Sequence, residues 1–456
     1  MNSDSAVIKN APAGGNFSSH NTATIRSIYF VLTVFLYKFV LDIAYSQIAY
    51  VFSYQNFFYD GKTAGSEILS WIMLACATPA LKHVFEDKSV SGNILCLLGL
   101  FSVIPTITLI SFRPDYGYAY ISMISIFWLL FYISWLVMKP IRIKSFDRFR
   151  SNSFYIISLI VLSGSVLIYS YVNTGLRFHL DLINVYDIRA EARGFEAPFP
   201  INYLVSFADN LLPVLMIYLL TRRRWLFACA VMLVIFINFS ISGQKQSLFV
   251  PMLGIIGFFA FKEYVKTYAL LLGCILFTVA CVAQAYFYDE IALHGIFTYR
   301  VLFIPTELNY SYYSYFQNNR FLYYNESLLK IFNHTPHENI QFLIGEFAIG
   351  DFTARANNGL FSDAYMNLGF VGVLIYPVIL SALLRVIDGA VVGLPKSMIF
   401  VVVVYVSFVL ISNTVTAALL TSGLIFLVIL LYSFPRQLSG QRAKLMLPDL
   451  GMPVPK

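Results

Sequence analysis

Charged side chains are scarce in this chain. Lys, Arg, Asp and Glu make up 12% of its 456 residues and apolar residues 58%, against roughly 25% and 45–50% in soluble domains. Mean hydropathy is +0.71. So little charge excludes a soluble globular domain and predicts an integral membrane protein. Cysteine is sparse too. All five (Cys76, Cys96, Cys229, Cys274 and Cys281) fall inside apolar runs, so no disulfide is expected on an outer loop. Several catalytic signatures are missing: a Gly-rich Walker loop, a zincin helix, a Gly-x-Ser-x-Gly elbow and, in the outer loops, an Asp-x-Asp pair for a divalent metal. No cofactor and no metal site is therefore expected, and arginine is the natural electrophilic partner for any reaction. The net charge of +7 implies no nucleic-acid partner. Much of the excess sits in short segments such as KPIRIKSFDRFR (139–150), which an anionic lipid leaflet attracts.

What is present is one apolar span after another. A crossing needs about 20 apolar residues. Twelve stretches lie near 27–46, 67–85, 93–112, 118–138, 153–173, 203–221, 225–241, 247–261, 267–288, 367–387, 397–412 and 414–434. The last two form one run too long to cross once, and Ser412-Asn413-Thr414 is the expected break. No small-residue cleavage site follows the first stretch, which reads as an anchor rather than a removed signal. Lys and Arg set the orientation. With the amino terminus inside, twenty of the 31 fall in inner segments and ten in outer ones, while Lys38 lies within the first span. The expected fold is an all-α polytopic membrane protein with both termini cytoplasmic. Residues 1–24 read as a disordered inner tail, 25–434 as the transmembrane domain and 435–456 as a second inner tail. Two larger outer loops are expected at about 174–202 and 289–367.

Those loops and one short turn hold the polar chemistry. Arg189 and Arg193 are four apart, so on a helix their guanidinium groups share a face and can fork onto one anion. Pairing with Asp187, Glu191 and Glu196 is the plainer alternative. In SISGQKQSLFVP, Gln244 and Lys245 stand before a helix start, where free N–H groups and the dipole favour an anion. An interfacial lysine that snorkels outward gives the same pattern. The large loop opens with FTYRVLFIPTELNYSYYSYF, in which Arg300 sits among apolar residues with Glu307 two turns on as one partner. Its tyrosines suit either stacking on sugars or a belt at the headgroup level. The loop closes on a knot of Arg355, Asn357, Asn358 and Asp363, with Asn357-Asn358-Gly359 as a turn and Gly369 and Gly372 permitting close helix approach. His334 and His337 lack a third ligand at metal spacing. Lys38 and Asp42, four apart in the first span, are expected to neutralise each other.

These segments resemble the O-antigen and capsular polysaccharide polymerases (Wzy type) of bacterial inner membranes. The likeness covers roughly 27–434 in span number and loop placement. It is sharpest in SGQKQSLFVP, RVLFIPTELNYSYYSYF and ARANNGLFSDAYMNLGFVGVLIYPVIL. The resemblance implies a membrane glycosyltransferase of GT-C-like architecture that moves a growing glycan from undecaprenyl diphosphate onto an incoming lipid-linked repeat unit at the periplasmic face. It implies membrane lipids, a flippase and a chain-length regulator as partners. It also implies functional arginines in the two loops, which here are Arg189, Arg300 and Arg355 as catalytic groups. Arg193, Gln244, Lys245, Glu307, Asn357, Asn358 and Asp363 would contact substrate. Lys245 stands where such proteins usually carry arginine, which keeps the charge and loses the fork. A base would come from Glu307, His337, Glu346, Asp351 or Asp363. The rivals are an O-antigen ligase and, from another class, a lipid-linked oligosaccharide flippase or transporter.

Overall fold

The computed structural model describes residues 17–52, 58–178, 185–192, 194–195, 198, 200–325, 339–351 and 353–436. Every regular element among them is helical. In chain order these are α1 (Phe17–Val51), α2 (Ala64–Glu86), α3 (Val90–Leu98), α4 (Ile104–Phe112), α5 (Tyr118–Val137), α6 (Asn152–Thr174), α7 (Val185–Ala192), α8 (Ile201–Thr221) and α9 (Trp225–Ser242). Then follow α10 (Gln246–Ala260), α11 (Thr267–Tyr288), α12 (Ala292–Ile296), α13 (Ile304–Asn318), α14 (Ile340–Ile349), α15 (Phe361–Val391), α16 (Ile399–Ser412), α17 (Val415–Leu420) and α18 (Leu424–Ser433). Helix α1 begins at Phe17, inside the segment expected to be an irregular tail; residues 1–16 and 437–456 lie outside the described ones.

Among the described residues, ten helical stretches are long and apolar enough to cross a membrane. They account for ten of the twelve expected spans. The eighth and eleventh are shorter apolar helices, Gln246–Ala260 and Lys396–Ser412. Local chemistry explains the ends. Thr63 and Ser66 form a reciprocal capping box that starts α2. Gly243, at φ +59°, ends α9 in the left-handed region that favours glycine. The third span joins α3 to α4 through a π-type turn at Gly99–Val103, just before Pro105, where a missing N–H would otherwise break the ladder.

That third span is the centre of the bundle, with 94% of its apolar window buried. Outer helices instead present large apolar side chains outward, among them Leu226 at 87% and Ile160 at 65% exposure. Such surface is tolerable only against lipid. The expected break near Ser412 is present: Asn413 is extended and Thr414 caps α17 by accepting from the Ala417 N–H at 3.2 Å. A second break at Thr421–Gly423, with Gly423 at φ +82°, divides the twelfth expected span into α17 and α18. Helix α15 is interrupted at Gly369 (φ +57°), which separates a short leading helix from the long apolar part.

Contacts between helix ends define two faces. On one, the Ser151 N–H donates to Ser433 at 3.2 Å, Ile141 N–H to Arg385 at 2.9 Å, and the Thr267 hydroxyl to Phe85 at 2.7 Å. On the other, Gly61 N–H donates to Phe112 at 3.0 Å and the Tyr310 hydroxyl to Asp115 at 3.3 Å. Both long loops emerge on this second end, the loop face.

Candidate functional site

Separate polar groups sit on the loop face. In the first loop Arg189 Nε donates to the Gly243 carbonyl at 3.0 Å, which seats the guanidinium on the α9–α10 junction. A Cβ at Gly243 would meet Arg189 Cγ at 3.1 Å, so this approach needs glycine. Arg189 is half-buried, and burial pulls its pKa below the ordinary guanidinium value. An anion placed there would offset that desolvation. Glu191, one of the carboxylates named as an alternative partner for Arg189, meets Arg177 at 2.8 Å. Helix α7 ends at Ala192, and Arg193 lies outside the described residues, as does Glu196. Lys245 is the half-buried residue before the first turn of α10, and Gln244 beside it is exposed. The structure therefore brings Arg189, Gln244 and Lys245 to one junction.

The second loop gathers on α13. Here the outcome differs most from expectation. Glu307 is buried and its carboxylate is fully engaged: Arg113 Nη1 at 2.8 Å, the Tyr116 hydroxyl at 2.8 Å and the Tyr45 hydroxyl at 3.0 Å. Arg113 also holds Asp115 with two bonds at 2.9 Å. Burial works against the Arg113 charge, but Glu307, Tyr116 and Asp115 outweigh it and raise the guanidinium pKa. Glu307 thus pins the end of the third span to α13. The tyrosines divide between the core and the surface: Tyr323 is exposed, and Tyr310, Tyr315 and Tyr324 are half-buried. Tyr312, Tyr313 and Phe316 are buried, and Tyr313 packs on Tyr120 and Tyr365 with ring centroids 5.1 and 4.9 Å apart. Arg300 is exposed on the π-type turn Thr298–Phe303 that leads into α13.

The closing knot divides into an inner and an outer half. Asp363 is buried, with one oxygen accepting from the Val415 N–H at 2.6 Å and the other from Asn367 Nδ2 at 2.8 Å. It caps α17, satisfying an N–H that would otherwise be orphaned inside the protein. Asn358 is buried too, donating to Met366 Sδ at 2.8 Å and receiving the Ser362 hydroxyl at 3.2 Å. A Cβ at Gly359 would run into the carbonyl oxygens of Leu410 and Ile411, which explains the turn. Arg355 and Asn357 remain exposed. Arg355 lies 5.0 Å over the Phe342 ring of α14. Phe342 and Glu346 are four apart on α14, so the Arg355 cation and the exposed Glu346 carboxylate share one side of that helix. Asp351 is exposed and bonds Thr353, which holds its carboxyl below the usual range. His334 and His337 lie outside the described residues.

Two clusters were missed by reading the sequence. One is the Arg113–Glu307 pair, signalled only by Arg-Pro-Asp at the end of an apolar run. The other is a polar network inside the bundle, built on Asp209, Asn210, Asn238, Gln246 and Ser247. Its signal was plain: Asp-Asn within the eighth helix, where an ionisable residue is costly. The Lys38–Asp42 pair is as expected, with Nζ 2.8 Å from Oδ2. Between α2, the third span and α5 lies an apolar cavity of about 300 Å³, lined by Met73, Leu95, Gly99, Ile107 and Trp128 among others. Among the described residues no group of three or more His, Cys, Asp or Glu could hold a metal ion.

Among the described residues the fold is that of a polytopic all-α membrane protein, with arginines and amides on its loop face. No family model, curated protein or solved structure matches the chain.

Proposed function

We propose that this chain is a membrane glycosyltransferase of the polysaccharide-polymerase type, acting on undecaprenyl diphosphate-linked repeat units at its loop face. In this reading the two shorter apolar helices, Gln246–Ala260 and Lys396–Ser412, complete twelve crossings in a GT-C-like arrangement. Both termini are cytoplasmic, the loop face is periplasmic and the membrane is a bacterial inner membrane. One observation carries the reading: both long loops reach the same face, each bringing arginines, with Arg189 seated on the α9–α10 junction.

The chemistry follows from that placement. An acceptor hydroxyl oxygen bonds to the anomeric carbon while the bond from that carbon to the diphosphate oxygen breaks. The leaving diphosphate takes the electron pair, and its growing charge is stabilised by preorganised cations at a low-dielectric boundary. Arg189, Lys245, Arg300 and Arg355 are the candidates. The acceptor proton needs a base. With Glu307 and Asp363 engaged in structural bonds and Asp351 held acidic, Glu346 beside Arg355 suits the role best among the described carboxylates. The apolar cavity by Trp128 suits a section of isoprenoid chain.

A transporter of lipid-linked glycan is the second reading, favoured by the carboxylate of Asp209 inside a span and by the breaks around α17. Deleting the gene in its host separates the two. A polymerase leaves one repeat unit on each anchor, whereas a flippase or ligase leaves none. A reporter fused after Asn319 must report the periplasm; a cytosolic signal ends the proposal.

A further inference from the structure

We propose that Asp209, Asn238 and Ser247 form a binding site for a monovalent metal cation such as Na+, where α8, α9 and α10 meet. The inference stands apart from the polymerase reading, since it rests on none of the arginines.

Asp209 sits in an apolar helix long enough to cross a membrane. Its Oδ1 accepts from Asn238 Nδ2 and from the Ser247 hydroxyl, both at 2.6 Å, and neither partner carries charge. Two other carboxylates within spans meet cations, Asp42 with Lys38 at 2.8 Å and Asp388 with Arg385 at 3.0 Å, while buried Asp363 has the Val415 N–H and Asn367 Nδ2 as donors. Among the described residues no cation meets Asp209. Arg189, at the same end of the bundle, is turned to the Gly243 carbonyl.

A second, independent observation comes from Asn238. It is 1% exposed, and its Oδ1 has no hydrogen-bond partner in the structure. The amide nitrogen is already committed to Asp209, and the oxygen of the same amide group is left without a donor. A buried acceptor without a donor loses its hydration with nothing in return. A hard cation would satisfy that oxygen and balance the carboxylate charge, because carboxylate, amide carbonyl and hydroxyl oxygens are its preferred ligands. One carboxylate supplies one negative charge. A monovalent ion therefore leaves the site neutral, whereas a divalent ion leaves net charge within the membrane.

The surroundings are built to hold this geometry. Gln246 Nε2 donates to Asn210 Oδ1 at 3.2 Å, and Asn210 Nδ2 donates to the Ser422 carbonyl at 3.3 Å. These bonds fix α8 against α10 and against the break between α17 and α18. Asp209 itself is only partly buried, which leaves a route for an ion. Interrupted helices beside a polar pocket are where membrane proteins commonly coordinate ions.

The test uses the full chain in lipid nanodiscs. Radiolabelled sodium binding is measured directly, and thermal stability is compared in NaCl, KCl and choline chloride at equal ionic strength. Saturable sodium binding is expected, together with higher stability in NaCl than in choline chloride. Competition by K+ is equally supportive. Asp209→Asn should weaken binding at least about tenfold, the loss of one charge-assisted contact. Asn238→Ala keeps the carboxylate and removes the orphan oxygen; it should also weaken binding, and it decides the matter if Asp209→Asn fails to fold. No saturable binding, or binding unchanged in both variants, overturns the proposal. Stability that follows pH alone with no cation dependence also overturns it and assigns a proton to Asp209.

Discussion

Glu307 and Arg113 are 194 residues apart in sequence and 2.8 Å apart in space. Removing one partner strands the other as a buried charge. Arg113→Met should destabilise the protein by about 3–5 kcal/mol, and pairing it with Glu307→Met should recover much of that loss. Unfolding temperature in detergent and yield in the membrane measure both. A double variant no better than the single would mean that Tyr45 and Tyr116, not Arg113, keep Glu307 in place.

The approach of the leading segment of α15 to its own long part gives a sharper steric test. A Cβ at Gly372 would collide with the Ala364 carbonyl oxygen, so Gly372→Ala should cost about 1–3 kcal/mol. Gly273 on α11 has nothing within 4 Å of the same added atom. There Gly→Ala should change stability by no more than about 0.5 kcal/mol.

Asp363 caps α17 from 52 residues away. Asp363→Ala leaves the Val415 N–H and the Asn367 amide without their acceptor, at about 1–3 kcal/mol. Loss of glycan growth in this variant should therefore track loss of folded protein. Full folding with abolished growth would return Asp363 to the list of catalytic candidates.

The arginines should behave in the opposite way. Arg189→Lys, Arg300→Lys and Arg355→Lys keep the charge and lose the fork. Each should reduce chain growth about a hundredfold or more at unchanged membrane level. Full-length glycan from all three would remove the catalytic assignment.

His294 supplies a pH dependence. It is buried between Thr298, 2.6 Å from Nδ1, and Gln47, 3.0 Å from Nε2, and burial pushes its pKa down to about 4. The unfolded chain binds the proton near the ordinary value of about 6.5. Folding therefore favours the neutral ring: its contribution is intact above about pH 6.5 and is lost as pH falls toward 4 and below. Unfolding temperature should drop between pH 7 and 4.5, and by less in His294→Gln. An equal drop in that variant would place the sensitivity elsewhere.

Much of the fold was legible beforehand, and for a physical reason. The third and ninth spans, for example, are long apolar runs, the third buried at the centre of the bundle and the ninth mostly outward-facing. Ser412-Asn413-Thr414 is a local interruption with its own capping hydroxyl, and Gly369 and Gly372 marked the close approach of α15. The site was far less legible. Asp363, Asn358 and Glu307 looked like ligands because polar residues near a membrane surface attract that reading. The structure turns all three inward, onto Val415, Met366 and Arg113.

Solvent preference acts residue by residue along the chain, so hydrophobicity alone announced a multi-pass helical protein and placed most of its helices. Partner choice among buried polar groups depends on which helices end up side by side. That Arg113 meets Glu307, or that Asn238 turns its oxygen toward no donor, followed only once the helices had packed. The reason is energetic: a buried charge or amide must find complementary atoms within hydrogen-bond reach, and spatial neighbours decide whether it does.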